Sequence, residues 1–398
     1  MKTSTTSRLP DAAARDKVNN AVGSVAKLAA RPIRGAPADA STAIVYCEGH
    51  FGTVDGKTAN GLVRHSETYR ILSVIDSEKT GLDSGMVLDG SPNNIPVCHD
   101  LADALSQTFS IPAYFIIGLA PASGMLSIHE RGLVLEAIRC GMNIVSGLHE
   151  FLSDDTEFTA ASVAHNVQIF DVRKPRAKKD LRVFSGRIAE VTCPRIAILG
   201  TDCAIGKRTT ATILTRVLNE LGLKSIMIGT GQTGLIQGAR YGVALDSVPS
   251  QFCCGELEAT IIEAFETERP DVIIVEGQGA LSHPAYSTSS FILRGCCPDG
   301  VILQDAPGRT TRCDFDQMAM PTPASEIDLI ESFCDTTVIG MAINHECMSS
   351  AETAAVITKY ERRFAVPVTD PLADDGPLAE MVLSAFPQLH EKLSARTQ

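Results

Sequence analysis

The chain has 398 residues, of which 44% are hydrophobic and 21% are charged. Because a single hydrophobic core seldom grows to that size, we expect two domains, and the composition excludes a largely disordered chain. The 35 basic and 47 acidic residues give a net charge of −12, which argues against a general affinity for nucleic acid or an anionic membrane surface, so an anionic ligand needs a local positive site.

The N-terminal segment, residues 1–40, is rich in Ala, Ser, Thr, Arg and Pro and has no sustained apolar period, which predicts a tail or a loosely packed arm. It lacks the basic start and apolar core of a secretory signal, and no apolar run in the chain approaches the length that spans a bilayer. We therefore expect a cytoplasmic protein without a membrane partner.

A first α/β domain is predicted over residues 41–175, where short apolar runs alternate with segments of helical period. The predicted strands cover residues 42–47, 69–75, 95–98, 114–119 and 143–146, and a helix is predicted over residues 128–140. Between the first two strands, residues 52–58 resemble a phosphate loop that is one residue short. Because that shortening misdirects several amides, we favour an ordinary strand-to-helix turn or a turn that lines the cleft between domains.

The basic, proline-containing stretch 173–180 interrupts this pattern and marks the domain boundary, with a linker over residues 176–194. Such a charge run can also clamp a phosphate or nucleic acid, but a solvated linker is the more common role. Beyond it, residues 195–398 form a second domain. Its predicted strands cover residues 195–199, 225–228, 272–275, 300–303 and 338–343, and its predicted helices cover residues 207–221, 256–266, 324–333 and 350–363.

The predicted fold class is α/β, with mostly parallel sheets that carry helices on both faces. We expect an N-terminal Rossmann-like domain and a C-terminal, doubly wound domain of the P-loop NTPase type. The 12 cysteines include two adjacent pairs but no CxxC, so their spacing is not that of a metal knuckle, and reduced cytosolic thiols are expected.

The glycine-rich loop 200–210 lies between the first strand and the first helix of the second domain, which is the context that a phosphate loop needs. Lys207 supplies a positive charge, and Gly206 lets the backbone approach a phosphate. Five residues separate the two glycines and Arg208 precedes Thr209, so the loop departs from the strict pattern. The predicted cofactor-binding residues are Thr201, Asp202, Cys203, Ala204, Ile205, Gly206, Lys207, Arg208, Thr209 and Thr210.

Polar residues follow other predicted strands at the edge of the sheet where α/β proteins bind ligands. Glu276 ends an apolar strand and is a candidate general base, and His283 titrates in the useful range. We take both as candidate catalytic residues. The candidate substrate-binding residues are Gln232, Thr233, Gln278 and the two guanidinium groups that suit a carboxylate, Arg309 and Arg312.

Residues 200–202 and 206–207, together with residues 275–277, resemble the dethiobiotin synthetase branch of P-loop proteins, in which the loop holds nucleotide phosphates and acids hold magnesium. A closer resemblance, to the DgcN family, covers nearly the whole chain from about residue 42. The segments that carry it are residues 57–62, 200–210, 231–234, 276–279 and 282–284.

The DgcN resemblance implies N-acetylation of D-amino acids, chiefly D-glutamate, in D-amino acid catabolism. It implies acetyl-CoA as cosubstrate, with Gly206, Lys207, Thr209 and Thr210 on the pyrophosphate of CoA. The expected partners are a small amino acid and further copies of the chain in a homo-oligomer. No metal ligand is predicted, and magnesium stays open as a cofactor.

Two alternatives stay open. A kinase or ligase that uses ATP or GTP would hold magnesium at Asp202, Thr209 and Glu276, and a nucleotide-sensing module would bind phosphates without turnover. For acetyl transfer we expect direct attack of the neutral amine on the thioester, with proton removal by Glu276 or His283 and an oxyanion bound by backbone amides. A covalent route through Cys203 is the less favoured mechanism.

Overall fold

The computed structural model describes residues 40–119 and 123–396. The predicted N-terminal tail, residues 1–40, lies outside the described residues except for residue 40. Within the described ranges, no helix combines the length and the hydrophobicity needed to cross a membrane.

The first domain is built on a six-stranded parallel sheet whose strands follow the order β3-β2-β1-β4-β5-β6. Its strands are β1 (Ser41–Tyr46), β2 (Tyr69–Ile75), β3 (Val97–Cys98), β4 (Tyr114–Ile117), β5 (Asn143–Ser146) and β6 (Ile169–Asp171). This is the strand order of a Rossmann sheet, with β1 and β4 on either side of the point where the order reverses. The sheet places the carboxyl end of β1, and the glycine-rich turn that follows it, at the ligand edge.

Five helices within the described ranges cover this sheet. They are α1 (Lys57–Arg64), α2 (Ser84–Asp89), α3 (Leu101–Ser106), α4 (Ile128–Arg139) and α5 (Thr156–His165). Side chains define several of their starts: Ser127 and Glu130 form a capping box at α4, and Asp155 accepts hydrogen bonds from the first turn of α5. The turn before α1 is the predicted strand-to-helix connection, and α1 begins directly after Gly56.

The second domain contains a seven-stranded parallel sheet in the order β15-β14-β11-β7-β10-β8-β9. Its strands are β7 (Arg195–Gly200), β8 (Ser225–Gly229), β9 (Tyr241–Gly242), β10 (Val272–Glu276), β11 (Gly300–Asp305), β14 (Val338–Ile343) and β15 (Val368–Thr369). A small antiparallel hairpin, β12 (Thr311–Arg312) and β13 (Phe315–Ala319), follows β11. The two parallel sheets confirm the predicted α/β class.

Eight helices belong to the described part of this domain. The strands β7, β10 and β11 at its centre are buried almost throughout. The helices are α6 (Lys207–Glu220), α7 (Gln232–Gln237), α8 (Ser250–Glu268), α9 (Thr288–Cys296), α10 (Pro323–Phe333), α11 (Ser350–Phe364), α12 (Gly376–Ala385) and α13 (Pro387–Arg396). Separate apolar clusters cover the two faces of the sheet. A sheet with both faces covered needs continuous apolar strands, which is why these strands were readable in the sequence.

The stretch between the two sheets packs largely on the second domain. Arg182 donates to Glu256 at 2.8 Å, and Ile188 and Val191 are buried in the second core. Arg173, predicted to lie in a solvated basic run, is instead 7% exposed and forms an ion pair of 3.0 Å with Asp246. The predicted domain limits stay predictions, because packing alone does not fix where one folding unit ends.

The two domains meet where α1 packs on α7. Thr58 Oγ1 and Thr233 Oγ1 share a hydrogen bond of 2.9 Å, and Gln237 Nε2 donates to the carbonyl oxygens of Gly61 at 2.6 Å and His65 at 2.7 Å. These contacts bring the turn after β1 to the same cleft as the glycine loop of the second domain.

Candidate active site

The loop between β7 and α6 has the backbone geometry of an anion cradle. Gly206 has a φ of +105° and Ala204 a φ of +52°, so the chain turns sharply through the left-handed region just before the helix. The N-cap of α6 is Gly206, and no side chain caps the helix. The first N–H groups of α6 therefore stay available to an anion at its positive end.

Lys207, the first residue of α6, is buried inside this loop. Its Nζ donates to the carbonyl oxygen of Asp202, and burial lowers the pKa of Lys207 to about 8. A lysine held in this way places its charge at the centre of the cradle, where a bound phosphate would favour the charged form.

Threonine hydroxyls fix the loop to strand β11. Thr201 Oγ1 donates to Asp305 Oδ1 at 2.7 Å, and Thr210 Oγ1 donates to Gln304 Oε1 at 2.5 Å. Burial raises the pKa of Asp305, whose second oxygen accepts from the Tyr360 hydroxyl at 3.0 Å. Thr201 and Thr210 thus hold the loop against strand β11. Of the three predicted cofactor-binding hydroxyl groups, only that of Thr209 makes no hydrogen bond to a described residue.

Asp202 and Arg309 anchor the hairpin to the loop. Arg309 Nη1 donates to Asp202 Oδ2 at 2.9 Å and to the Cys203 carbonyl at 2.8 Å, and the rest of the guanidinium binds Glu346. The backbone N–H of Cys313 donates to the same oxygen of Asp202 at 2.7 Å. Arg309, predicted to bind substrate, therefore has its donors turned toward protein groups.

His283 lies next to Asp202, between the rings of Tyr286 and Phe315 at centroid distances of 4.7 and 5.6 Å. Its Nε2 is 3.7 Å from Asp202 Oδ1, and both atoms are buried without a hydrogen bond among the described residues. Its Nδ1 accepts from the backbone N–H of Ala285 at 3.2 Å. The neutral imidazole consequently carries its proton on Nε2, directed toward Asp202.

Asp202, Cys203 and His283 offer three potential metal-ligand atoms within 4.8 Å of one another. Coordination through His283 Nε2 would move the ring proton to Nδ1, where it would face the Ala285 N–H. Ligating histidines normally donate their second ring N–H to an acceptor. The geometry thus fits a neutral imidazole whose Nε2–H faces the carboxylate of Asp202 better than a metal site.

Arg312 reaches the loop that carries His283. Its Nη2 donates to Ser282 Oγ at 2.9 Å, while Nη1 is buried without a hydrogen bond among the described residues. The same loop is held by the fully buried Glu326, which accepts from the backbone N–H groups of Leu281 at 2.6 Å and Ser282 at 3.1 Å. Sequence analysis missed Glu326, which lies within a helix and carries no local signal.

Glu276 ends strand β10 inside the cleft. Its Oε2 accepts from the backbone N–H of Thr230 at 2.9 Å, and burial raises the pKa of Glu276, which the positive charges of Arg208 and Lys207 oppose. A Cβ on Gly234 would lie 2.5 Å from Oε2, so glycine at that position leaves room for the carboxylate. A buried glutamate with a raised pKa has the properties of a general base near neutral pH.

The predicted substrate-binding residues of α7 lie at the domain interface. Thr233 contacts Thr58, and the buried Gln232 packs so that a Cβ on Gly147 would be 3.1 Å from its Cγ. Gln278 donates from Nε2 to the Thr230 carbonyl oxygen. The structure brings all three residues to the cleft that contains Glu276.

Arg208 points out of the loop toward the first domain. A Cβ on Gly61 would lie 2.8 Å from its Nη1, so the guanidinium rests against the backbone of α1. Lys57, at the start of α1, lies close enough to Cys203 for its positive charge to act toward lowering the pKa of the thiol. Burial nevertheless raises the pKa of the Cys203 thiol, which disfavours the thiolate that a covalent route needs.

Similarity to known proteins covers both domains. Residues 182–380 match a family described as a domain of unknown function, DUF1611_C, P-loop domain, and residues 77–175 match DUF1611_N, Rossmann-like domain. A solved DUF1611 family protein from Anabaena variabilis ATCC 29413 is 28% identical and superposes with a TM-score of 0.80, over 87% of this chain and 99% of that one.

Two curated relatives bear the name D-glutamate N-acetyltransferase. The protein from Pseudoalteromonas sp is 33% identical over 267 residues, which is 65% of this chain and 78% of the relative. The protein from Tritonibacter scottomollicae is 30% identical over 263 residues, which is 64% of this chain and 76% of the relative.

Proposed function

The chain belongs to the DUF1611 family, and on that basis we propose that it is an N-acetyltransferase that moves the acetyl group of acetyl-CoA to the α-amine of D-glutamate. The names of the two curated relatives support the reaction and the acceptor. The observation that supports the donor is the glycine loop, in which a buried lysine and an uncapped helix N-terminus converge. Such a loop binds a pyrophosphate, and acetyl-CoA contains one.

The residues of the loop fit that group. Gly200 allows close packing, since a Cβ there would lie 2.9 Å from the Gln304 carbonyl oxygen, and Gly206 provides the left-handed turn into α6. Lys207 would neutralise the phosphates, and Thr209 retains a hydroxyl free to bind them. The proposed contacts to the pyrophosphate thus all come from the second domain.

Glu276 is the proposed general base. The acceptor amine attacks the thioester carbonyl, so that a C–N bond forms and the C–S bond breaks, and Glu276 takes the proton that the amine loses. The leaving thiolate takes up a proton to leave as free CoA. His283 is less suited to this step, because its neutral form presents an N–H at Nε2 and its Nδ1 lone pair faces Ala285. It suits the role of a hydrogen-bond donor.

Thiol release tests the proposal. Purified protein is supplied with acetyl-CoA and a panel of D- and L-amino acids, free thiol is followed with a chromogenic disulfide, and the product mass is checked. We expect release with D-glutamate, a mass gain of one acetyl group, and no effect of EDTA.

A nucleotide-dependent enzyme would behave differently. It would release no thiol with any amine, would release phosphate from ATP or GTP in the presence of an acceptor, and would stop when EDTA removes magnesium. That pattern would overturn the proposal in favour of a kinase or ligase.

A further inference from the structure

Arg208 is a charged group in the cleft whose hydrogen-bonding capacity is unused. Its side chain is largely covered by protein, yet its guanidinium makes no hydrogen bond and no ion pair with any residue that the structure describes. Burial lowers the pKa of Arg208, an effect that the attraction of Glu276 opposes. A guanidinium that is partly removed from water without acceptors is unfavourable, and a carboxylate is the group that matches its planar fork.

The fold makes room for this guanidinium. A Cβ on Gly61 would lie 2.8 Å from Nη1 and 3.0 Å from Nη2 of Arg208, so any other residue at position 61 would displace it. The arginine therefore lies between the two domains, with the backbone of α1 on one side and the loop of the second domain on the other.

Two consecutive cations of the loop thus face different ways. Lys207 turns into the phosphate loop and binds the carbonyl oxygen of Asp202, whereas Arg208 turns out toward Gly61. One cation is placed for the anion of the donor, and the other is placed for an anion that enters from the cleft.

We propose that Arg208 binds the α-carboxylate of the amino acid acceptor, as a bidentate clamp at the domain interface. The inference rests on the proposed acetyl transfer. Arg208 and Glu276 are close enough for their charges to attract each other. The amine and the carboxylate of an α-amino acid are attached to one carbon atom. Binding of the carboxylate to Arg208 would therefore bring the amine to the base.

The amide group of Gln237 lies beside this guanidinium. A Cβ on Gly61 would lie 3.1 Å from Gln237 Nε2, which donates to the carbonyl oxygens of Gly61 and His65. The amide nitrogen is engaged by the backbone, so Arg208 is the group of this pair whose donors have no partner among the described residues.

Steady-state kinetics of Arg208→Met test this clamp, with Arg139→Met as the control because Arg139 is exposed and forms no ion pair with a described residue. KM is measured for D-glutamate and, separately, for acetyl-CoA. We expect KM for D-glutamate to rise by about 10- to 100-fold, since a bidentate charged contact is lost, while KM for acetyl-CoA stays unchanged. Gly61→Ala, which pushes the fork aside, should raise the same KM without unfolding the protein.

A truncated acceptor identifies the carboxylate. In 4-aminobutanoate the α-carboxylate of glutamate is missing, so wild-type protein should use it poorly and Arg208→Met should cause no further loss. A rise in KM that is equal for D-glutamate and 4-aminobutanoate, or one confined to acetyl-CoA, would overturn the clamp. Thermal unfolding checks that each variant is folded. If Arg208→Met does not fold, the kinetics of Gly61→Ala provide the test of the clamp.

Direct binding separates this inference from the proposed function. If the wild-type protein releases no thiol with any amine, the acetyl transfer fails, and calorimetric titration with D-glutamate then decides the clamp alone. Binding that disappears in Arg208→Met would support it. Absent binding, or equal binding by both proteins, would contradict it.

Discussion

The fully buried carboxylate of Asp202 forms an ion pair of 2.9 Å with the partly buried guanidinium of Arg309, which ties the hairpin after β11 to the phosphate loop. Asp202 Oδ2 also accepts from the backbone N–H of Cys313 at 2.7 Å, and His283 Nε2 lies 3.7 Å from its Oδ1. Arg309 is also held by Glu346 at 2.6 Å. The loop and the hairpin thus position each other, so a substitution in either one should alter the structure of both.

Arg309→Met should destabilise the protein by about 3–5 kcal/mol, because it leaves the carboxylate of Asp202 buried without its countercharge. Urea unfolding measures the loss. Asp202→Asn in the same chain should restore part of it, since the unpaired charge is then gone. A coupling energy near zero in this double-mutant cycle would show that the pair does not hold the loop.

Lys207→Ala should raise KM for acetyl-CoA by roughly 10- to 100-fold, which corresponds to a charged hydrogen bond worth about 1.5–3 kcal/mol. KM for the amino acid should change little, because Lys207 faces the loop. Lys359→Ala, at an exposed position of α11, serves as the control. An unaltered KM for acetyl-CoA would rule out the loop as the pyrophosphate site.

Glu276→Gln should lower kcat by about 10²- to 10⁴-fold with little change in either KM, as expected for the loss of a general base. Burial raises the pKa of Glu276 against the opposing charges of Arg208 and Lys207, so the proton-accepting carboxylate is complete above that raised pKa and is lost as the pH falls through it. In wild-type protein kcat should therefore decline toward acid. The same decline in Glu276→Gln would assign it to another group, and Glu263→Gln, exposed on α8, is the control.

Gly277→Ala should destabilise the second domain, because the new Cβ would lie 1.9 Å from the carbonyl oxygen of Ile198 on the neighbouring strand. Backbone must move to relieve that contact, which typically costs about 1–3 kcal/mol or more. Gly132→Ala provides the opposite case, since nothing lies within 4 Å of its Cβ position in α4 and it should stabilise by about 0.5–1 kcal/mol. Thermal unfolding of both variants measures the difference, and equal melting temperatures would contradict it.

The central strands and the loop were predictable from the sequence because burial on both faces demands continuous apolar runs. Residues 338–343 were predicted to the residue, and the predicted strand 195–199 differs from β7 by one position. The two-residue edge strands β9 and β15 were not predicted, because two residues are too few to show a pattern, whereas β3 lies within the predicted strand 95–98. The hairpin β12–β13 was also missed, because only three of its seven strand residues are apolar: Phe315, Met318 and Ala319.

The site was predictable only in part, because partners far apart in sequence decide what a side chain does. The composition of residues 309–312 suggested two free arginines, whereas Arg309 is engaged by Asp202, which is 107 positions away. Glu326 lies in an ordinary amphipathic helix, and only the fold shows that it holds the backbone before His283. The interface of Thr58 with Thr233 spans 175 positions and has no signal in either segment.

The packing of α1 against α7 has an evolutionary consequence. In the proposed arrangement the second domain binds the donor, while both domains line the acceptor pocket. A chimaera that joins the first domain of one relative to the second domain of another would then keep its specificity for the thioester donor but change its specificity for the amine. Selection could in this way vary one partner of the reaction without disturbing the other.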